Sequence, residues 1–316
     1  MFRDAYAKIL SFGTALGELA FDVYILSGKT KKITYITSSN IDSYFVEKIC
    51  GKDVTITKLK RIYLWELKKL ADQQDAVLID MYRLFARFFD NGFLVPPLVR
   101  QILDIGIGVS VDIKLRGSDI HKLKKYSFEV SNDLNDLKFF YEKMHIPHIK
   151  TKYNSAAYVE NFNSVEKIFK NGELLLIKLN GEYVAGALCE INGNGYFLRK
   201  NGILDEKFIK EGALLTTYYF PIMRAKELKA KIVDFGQSRS FLQDGVLRHK
   251  SHWGTRICED KKIKRIIYLR NIFEPFIYIE DKKLKAVVLS ENDILIKEYA
   301  RSGLEFNIIH KNGDKK

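Results

Sequence analysis

Three cysteines and five prolines stand among the 316 residues of this chain. Cys50, Cys189 and Cys258 are too few and too scattered for a disulfide framework, and no C-x-x-C pair offers a zinc ribbon or a redox site. A reducing, cytoplasmic interior suits such thiols. Glycine, at 20 residues, follows no period, which excludes collagen-like and low-complexity scaffolds. No stretch reaches the ~18–20 uninterrupted apolar residues of a membrane-spanning helix. The opening MFRDAYAKILSFGTALGELAFD is broken by Arg3, Asp4, Lys8 and Glu18, so it lacks the continuous hydrophobic centre of a secretory signal. Neither secretion nor an integral membrane segment is expected.

What is present is core-forming material. Hydrophobic residues make up 47% and aromatics 13%, enough to exclude extended disorder and to fill two moderate domains. The formal net charge is +13, which raises the question of a polyanionic partner such as tRNA. It is spread evenly, as +5 over residues 1–130 and +8 over the remainder, so neither half is a separate basic module. Local clusters occur at Lys114, Arg116, Lys122, Lys124 and Lys125, and at Lys261, Lys262, Lys264 and Arg265. Each reads first as a solvated surface, and second as a contact with tRNA, anionic lipid or a phosphorylated cofactor.

Between residues 32 and 90, β-type runs such as KKITYITSS, DVTITKL and DAVLIDMY alternate with helical patterns, which argues for an α/β sheet. Gly51 and Gly92 follow amphipathic runs where a left-handed cap belongs. The basic stretch 114–126 reads as a connection, which divides the chain into an N-terminal α/β domain, 1–125, and a C-terminal domain, 126–316. The second half opens with the strand SFEVSND, whose Ser131, Asn132 and Asp133 can cap the helix LNDLKFFYEKM; Pro147 is expected to stop that helix. A helix through 161–170 then leads to GELLLIKL, EYVAGALCEI and YFLRKNG, separated by Asn180-Gly181 and Asn192-Gly193-Asn194-Gly195, which suit hairpin turns. Leu214, Leu215, Tyr218, Ile222 and Ala225 recur at helical spacing before the short strand KIVDF. The patterns over 33–59 and 286–311 both read strand, capped helix, glycine, strand.

The most distinctive segment follows that strand: DFGQSRSFLQDGVLRHKSHWG, from Asp234 to Gly254. Together with FYEKMHIPHI upstream, it resembles the Fem-like branch of the GNAT acyltransferase superfamily, over roughly residues 126–260. The resemblance implies an α/β (α+β) protein of two GNAT-like mixed-sheet halves, the C-terminal one with a central sheet that splays. It also implies an N-acyltransferase activity, with acetyl-CoA or another acyl-CoA thioester as donor and a small-molecule, sugar or lipid amine as acceptor. Two alternatives stand beside it: an aminoacyl-tRNA donor, which the net charge favours, and a non-catalytic binding protein that keeps the fold.

The candidate site residues fall at strand and helix ends. Asp234 and Glu190 lie within apolar strands, where burial would raise a carboxylate's pKa toward the range useful for accepting a proton from an amine. Each reads otherwise as a salt-bridge partner, and Asp234 as the fastener of the Gly236–Arg239 turn. Tyr141 belongs to the FYEKMHIP stretch and is a further cleft candidate. Lys210, Gly212, Ala213 and Leu214 start a helix whose free N–H groups could hold the donor's phosphates, or form an ordinary acidic helix start beside Glu211. Ser238, Arg239 and Lys250 are candidate substrate contacts. Read as a strand, Val246–Trp253 would place Arg248 and Lys250 on its polar face. A Ser-His-Asp set could be picked from Ser238, His249 and Asp244, but G-x-S-x-G is absent. His145 with His148 and His249 with His252 lack carboxylates that would complete a metal site, so no metal is expected.

Overall fold

The computed structural model describes residues 19–29, 31–106, 117–153, 159–290 and 293–309. Lys114 and Arg116 lie outside these residues. The chain divides into two compact units: unit 1 comprises Met1–Val99, Ser238–Arg248 and Cys258–Lys316, and unit 2 comprises Arg100–Gln237 and His249–Ile257. The single boundary expected near residue 125 differs from this. Strands late in the sequence pair with strands near its start, and no local pattern announces such pairing.

Unit 1 is built on a nine-stranded mixed sheet. In chain order its elements are β1 (Ala20–Ser27), β2 (Lys32–Thr37), α1 (Ser43–Cys50), β3 (Thr55–Tyr63), α2 (Leu64–Asp72), β4 (Val77–Tyr82) and β5 (Phe93–Val95). After the excursion through unit 2 come β13 (Arg265–Arg270), β14 (Ile277–Glu280), β15 (Lys283–Leu289), α10 (Asp293–Tyr299) and β16 (Glu305–Ile309). Their order in the sheet is β16-β15-β14-β5-β13-β4-β2-β1-β3. β2 and β4 are parallel neighbours deep in the sheet, and all six residues of β4 are buried, so VLIDMY reads as a nearly unbroken apolar run. Period-two alternation sends Tyr35, Leu78 and Ile267 into one core cluster and Ile36, Ile79 and Ile266 into another.

Unit 2 carries a seven-stranded mixed sheet, ordered β12-β6-β11-β10-β9-β8-β7. These are β6 (Leu98–Asp104), β7 (Tyr126–Ser131), β8 (Gly172–Leu179), β9 (Glu182–Asn192), β10 (Gly195–Ile203), β11 (Ile232–Arg239) and β12 (Arg256–Glu259). Its helices are α3 (Gly117–Leu123), α4 (Leu134–Phe139), α5 (Ile146–Tyr153), α6 (Phe162–Phe169), α7 (Lys207–Glu211), α8 (Ala213–Glu227) and α9 (Gly245–Ser251), with a π-helical turn over Phe140–His145. Leu175, Ile177, Ala187 and Cys189 face α8 and Trp253 in one cluster, while Leu174, Leu176 and Leu188 face Phe140 and Val165 in the other.

Local expectations hold where the chemistry is short-range. Asp133 caps α4 by accepting from the Asn135 N–H at 2.8 Å, and Asn161 caps α6. Asn180 and Gly181 take φ of 53° and 88° in the β8–β9 hairpin, and Gly51 takes 87° after α1. Three expectations are corrected. Pro147 does not stop its helix: α4, the π-helical turn and α5 run on continuously, and the wider turn directly before the proline falls where its missing N–H would break an α-helical ladder. At Gly92 the left-handed residue is Asn91, φ 59°; Gly92 is small because a Cβ there would stand 2.4 Å from the Tyr268 ring. Val246–Trp253 is not a strand. Asp244 accepts from the Val246 and Leu247 N–H groups at 3.0 and 2.9 Å and starts α9, and His249 and Trp253, four residues apart, both pack on Tyr218.

Candidate functional site

The two halves of the unit 2 sheet meet at β10 and β11, parallel neighbours paired only at Gly195–Ile232, Tyr196–Val233 and Phe197–Asp234. Past that row β10 stays bonded to β9 as far as Ile203–Ala185, and no further β10–β11 pair forms among the described residues. The sheet forks there. A register shift between Leu198 and Lys200 leaves Arg199 as an extra residue in β10, and such bulges bend a strand and re-aim its side chains. On the β11 arm, Gly236 has φ 75°, a conformation that glycine adopts without strain. The facing edges of the arms therefore carry backbone N–H and C=O groups that no longer bond each other.

Glu190, Phe197 and Asp234 lie in one row across β9, β10 and β11, at the crotch of this fork. The two carboxylates singled out in the sequence thus flank the same point, about 10 Å apart at two strand spacings. Each is held by an arginine. Asp234, 3% exposed, accepts at Oδ2 from Arg100 Nε at 2.9 Å and Nη2 at 2.8 Å, and at Oδ1 from the Gly236 N–H at 2.7 Å. Oδ1 thus fastens the turn while Oδ2 holds the arginine. Glu190 accepts at Oε2 from Arg199 Nε and Nη2, at 2.6 and 2.5 Å, and the guanidinium lies 5.1 Å from the Phe197 ring centroid.

The β10 arm is lined by the π-helical turn. Gly202 brings the two together: a Cβ there would stand 2.7 Å from the backbone of Met144 and His145. The His145 Nδ1–H donates to the Asn201 carbonyl at 2.7 Å, which leaves Nε2 as the acceptor nitrogen. Burial between Phe140 and Tyr141 pulls the imidazole below its usual pKa, so the neutral ring is favoured. The Tyr141 hydroxyl donates to the Glu160 carbonyl at 2.6 Å, and the Glu160 carboxylate is ion-paired with Lys200. Tyr141, His145, Glu160 and Lys200 therefore form one polar cluster beside the fork. On the β11 arm, the Lys250 ammonium, 5% exposed, donates to the Gln237 carbonyl at 2.8 Å.

Following β10, the short helix α7 leads through Gly212, at φ 107°, into α8. The Leu215 and Thr216 N–H groups donate back to the Gly212 carbonyl, and the N–H groups of Ala213 and Leu214 have no intrahelical acceptor. Lys210 is exposed, Leu214 half-buried, and Gly212 and Ala213 are buried. The space beside Gly212 is occupied by Lys122 of α3: a Cβ on Gly212 would stand 3.3 Å from the lysine's Cβ and Cδ, and Lys122 Nζ donates to the Lys210 carbonyl at 3.2 Å. Gly212 thus leaves room for this lysine stem beside the start of α8. Nearby, the buried Tyr126 hydroxyl has no hydrogen-bond partner among the described residues, and burial first, then the charge of Glu211, raise its pKa.

The three candidate substrate contacts are not brought together within one unit. Lys250 belongs to unit 2, whereas Ser238, 3% exposed, and Arg239 belong to unit 1. The Arg239 guanidinium pairs with Asp42 at 2.7 Å. Asp244, besides capping α9, accepts from the Tyr44 hydroxyl at 2.7 Å, so it is committed to structure. Glu160 and Lys200 were not legible as a site: they sit 40 residues apart, and neither carries a motif.

No family model matches the chain, and no curated protein matches it in sequence. Solved structures do resemble it. FemX is 15% identical with a TM-score of 0.43, over 79% of this chain and 84% of FemX. L-PGS from Bacillus licheniformis is 14% identical with a TM-score of 0.37, over 81% of this chain and 85% of that one. A GCN5-related N-acetyltransferase from Sphaerobacter thermophilus is 11% identical with a TM-score of 0.36, over 81% and 78% respectively.

Proposed function

We propose that unit 2 is an N-acyltransferase module of the Fem-like GNAT type, in which an acyl-CoA thioester lies in the fork between β10 and β11. The observation that carries this reading is the three-residue limit on the pairing of those strands. Freed strand edges bond best to an extended ligand with alternating amide donors and acceptors, which is the chemistry of the pantetheine arm. At the start of α8, the Ala213 and Leu214 N–H groups, with the Lys122 and Lys210 ammonium groups, suit the pyrophosphate. The amine nitrogen of the acceptor bonds to the thioester carbon as the carbon–sulfur bond breaks, and the thiolate leaves. Glu160 takes the ammonium proton, Lys200 holds that carboxylate in place, and neutral His145 orients the acceptor through Nε2. Asp234 and Glu190 keep the crotch of the fork rigid and take no part in proton transfer. An aminoacyl-tRNA donor is the second reading, favoured by the net charge of +13.

Coenzyme A is expected to raise the melting temperature of the full chain in a concentration-dependent way, since a ligand bound only by the folded state adds RT ln(1 + [L]/Kd), about 2.7 kcal/mol at a hundredfold excess over Kd. Retention of tRNA that falls steeply with salt, without any effect of coenzyme A, would favour the second donor. Protection by neither would leave a binding protein that keeps the fold without the activity.

A further inference from the structure

Unit 1 contains a crevice of about 370 Å³, within the size range of small-molecule sites, lined among others by Ser39, Asn40, Asp42, Asp80, Arg239 and Arg265. Its position follows from the sheet. β2 and β4 are parallel neighbours, with Thr37 opposite Asp80, and the chain leaves them in opposite directions. From β2 it passes through α1 to β3, on the far side of β1; from β4 it passes to β5, on the far side of β13. A cleft opens outside the carboxyl ends of adjacent parallel strands at such a reversal, and open α/β sheets bind ligands there.

We propose that this crevice binds a small carboxylate-bearing molecule, with Arg239 as its anchor. The four charges lining it sum to zero, but donors and acceptors are not equally spent. Asp42 uses Oδ1 to accept from the Tyr44 and Phe45 N–H groups and Oδ2 to accept from Arg239 Nη1. Asp80 accepts from Arg265 Nε at Oδ1 and from the Ser39 hydroxyl at Oδ2. Every carboxylate oxygen is therefore engaged. Arg239, by contrast, gives a single N–H to Asp42, and its Nε–Nη2 edge makes no hydrogen bond among the described residues. Its guanidinium is held 4.8 Å from the Tyr44 ring centroid, and the side chain remains 34% exposed.

A planar fork fixed by an aromatic ring, with one edge unspent, matches the two oxygens of a carboxylate. Exposed Ser39, Asn40 and Ser43 add neutral donors around it. A doubly charged phosphate fits less well, because Asp42 and Asp80 would repel its second charge across a few ångströms. This site lies wholly in unit 1 and is independent of the fork in unit 2.

The test is an NMR titration of the full chain, following the Arg239 Nε–H resonance and the backbone amides of Ser39 and Asn40. Sodium acetate, inorganic phosphate and sodium chloride are added in turn at matched ionic strength. The expected result is a saturable shift with acetate, none with chloride, and tighter binding of acetate than of phosphate. Arg239→Lys keeps the charge and loses the fork, so acetate affinity read on the Ser39 and Asn40 amides falls about tenfold or more. No saturable acetate response in the unmodified protein, equal affinity in Arg239→Lys, or tighter binding of phosphate would each overturn the proposal. The titration of the unmodified protein decides the matter even where the variant folds poorly.

Discussion

Replacing Asp234 by alanine lowers the stability of unit 2 by about 3–5 kcal/mol, the usual cost of removing one partner from a buried ion pair. The residue is 3% exposed, and its partner Arg100 has a side chain only 16% exposed. The variant takes the Asp234 carboxylate away from that guanidinium and leaves the Gly236 N–H without this acceptor. Both losses fall at the crotch of the fork. Replacing the pair together, as Arg100→Met with Asp234→Leu, is expected to cost less than Asp234→Ala alone, because the guanidinium is removed along with the carboxylate it binds and apolar side chains fill the site. Denaturant unfolding checks this, with Trp253 as the probe. It is buried in the core of unit 2, whereas the only other tryptophan, Trp65, is 73% exposed in unit 1. A double variant as unstable as the single one would show that Asp234 acts through something other than Arg100.

Glu160→Gln should lower kcat by about 10²–10⁴-fold with the fold intact, the range associated with a lost general base. The carboxylate side chain is 30% exposed and paired with Lys200, so the amide removes charge at a wet edge and not in the core. Coupling between Glu160 and Lys200 should be visible as non-additive losses in the double variant. Thiol release from acetyl-CoA in the presence of an amine measures the rate. The half-buried Cys50 and Cys258 make an enzyme-only background necessary when a thiol reagent is used. Unchanged turnover in Glu160→Gln, alongside a large loss in Glu190→Gln, would return the proton-accepting role to Glu190, one of the two carboxylates that the sequence offers for it.

The legible parts of the fold were those written in short-range chemistry. Asp133 and Asn161 announce helix starts, and Asn180-Gly181 announces a hairpin, because a side-chain oxygen or a left-handed residue is needed at that spot whatever surrounds it. The row Glu190–Phe197–Asp234 was half visible. Both carboxylates stood out against apolar strands, but their arginines come from Arg199, nine residues away from Glu190, and Arg100, 134 residues away from Asp234. The segment 246–253 alternates polar and apolar residues well enough for a strand, and only the capping oxygen of Asp244 and the packing of His249 and Trp253 on Tyr218 decide for a helix. The return of β13 to pair with β4 and β5 joins residues about 180 positions apart, such as Arg265 and Tyr82. Hydrophobic periodicity carries no information on such pairings, which is why the units are discontinuous where the sequence suggested one cut. The same limit hid Glu160 and Lys200, ordinary charged residues until the turn before Pro147 and the bulge at Arg199 bring them together.

In the proposed reaction β10 and β11 part to receive an extended thioester carrier. Backbone hydrogen exchange of the full chain with and without coenzyme A addresses it directly. If the strands do so, the ligand slows exchange at amides of residues 198–203 on one arm, 235–237 on the other, and Ala213 and Leu214 at the start of α8, while the already paired β8–β9 hairpin is unaffected. Saturating coenzyme A that leaves both arms exchanging as before would contradict the account.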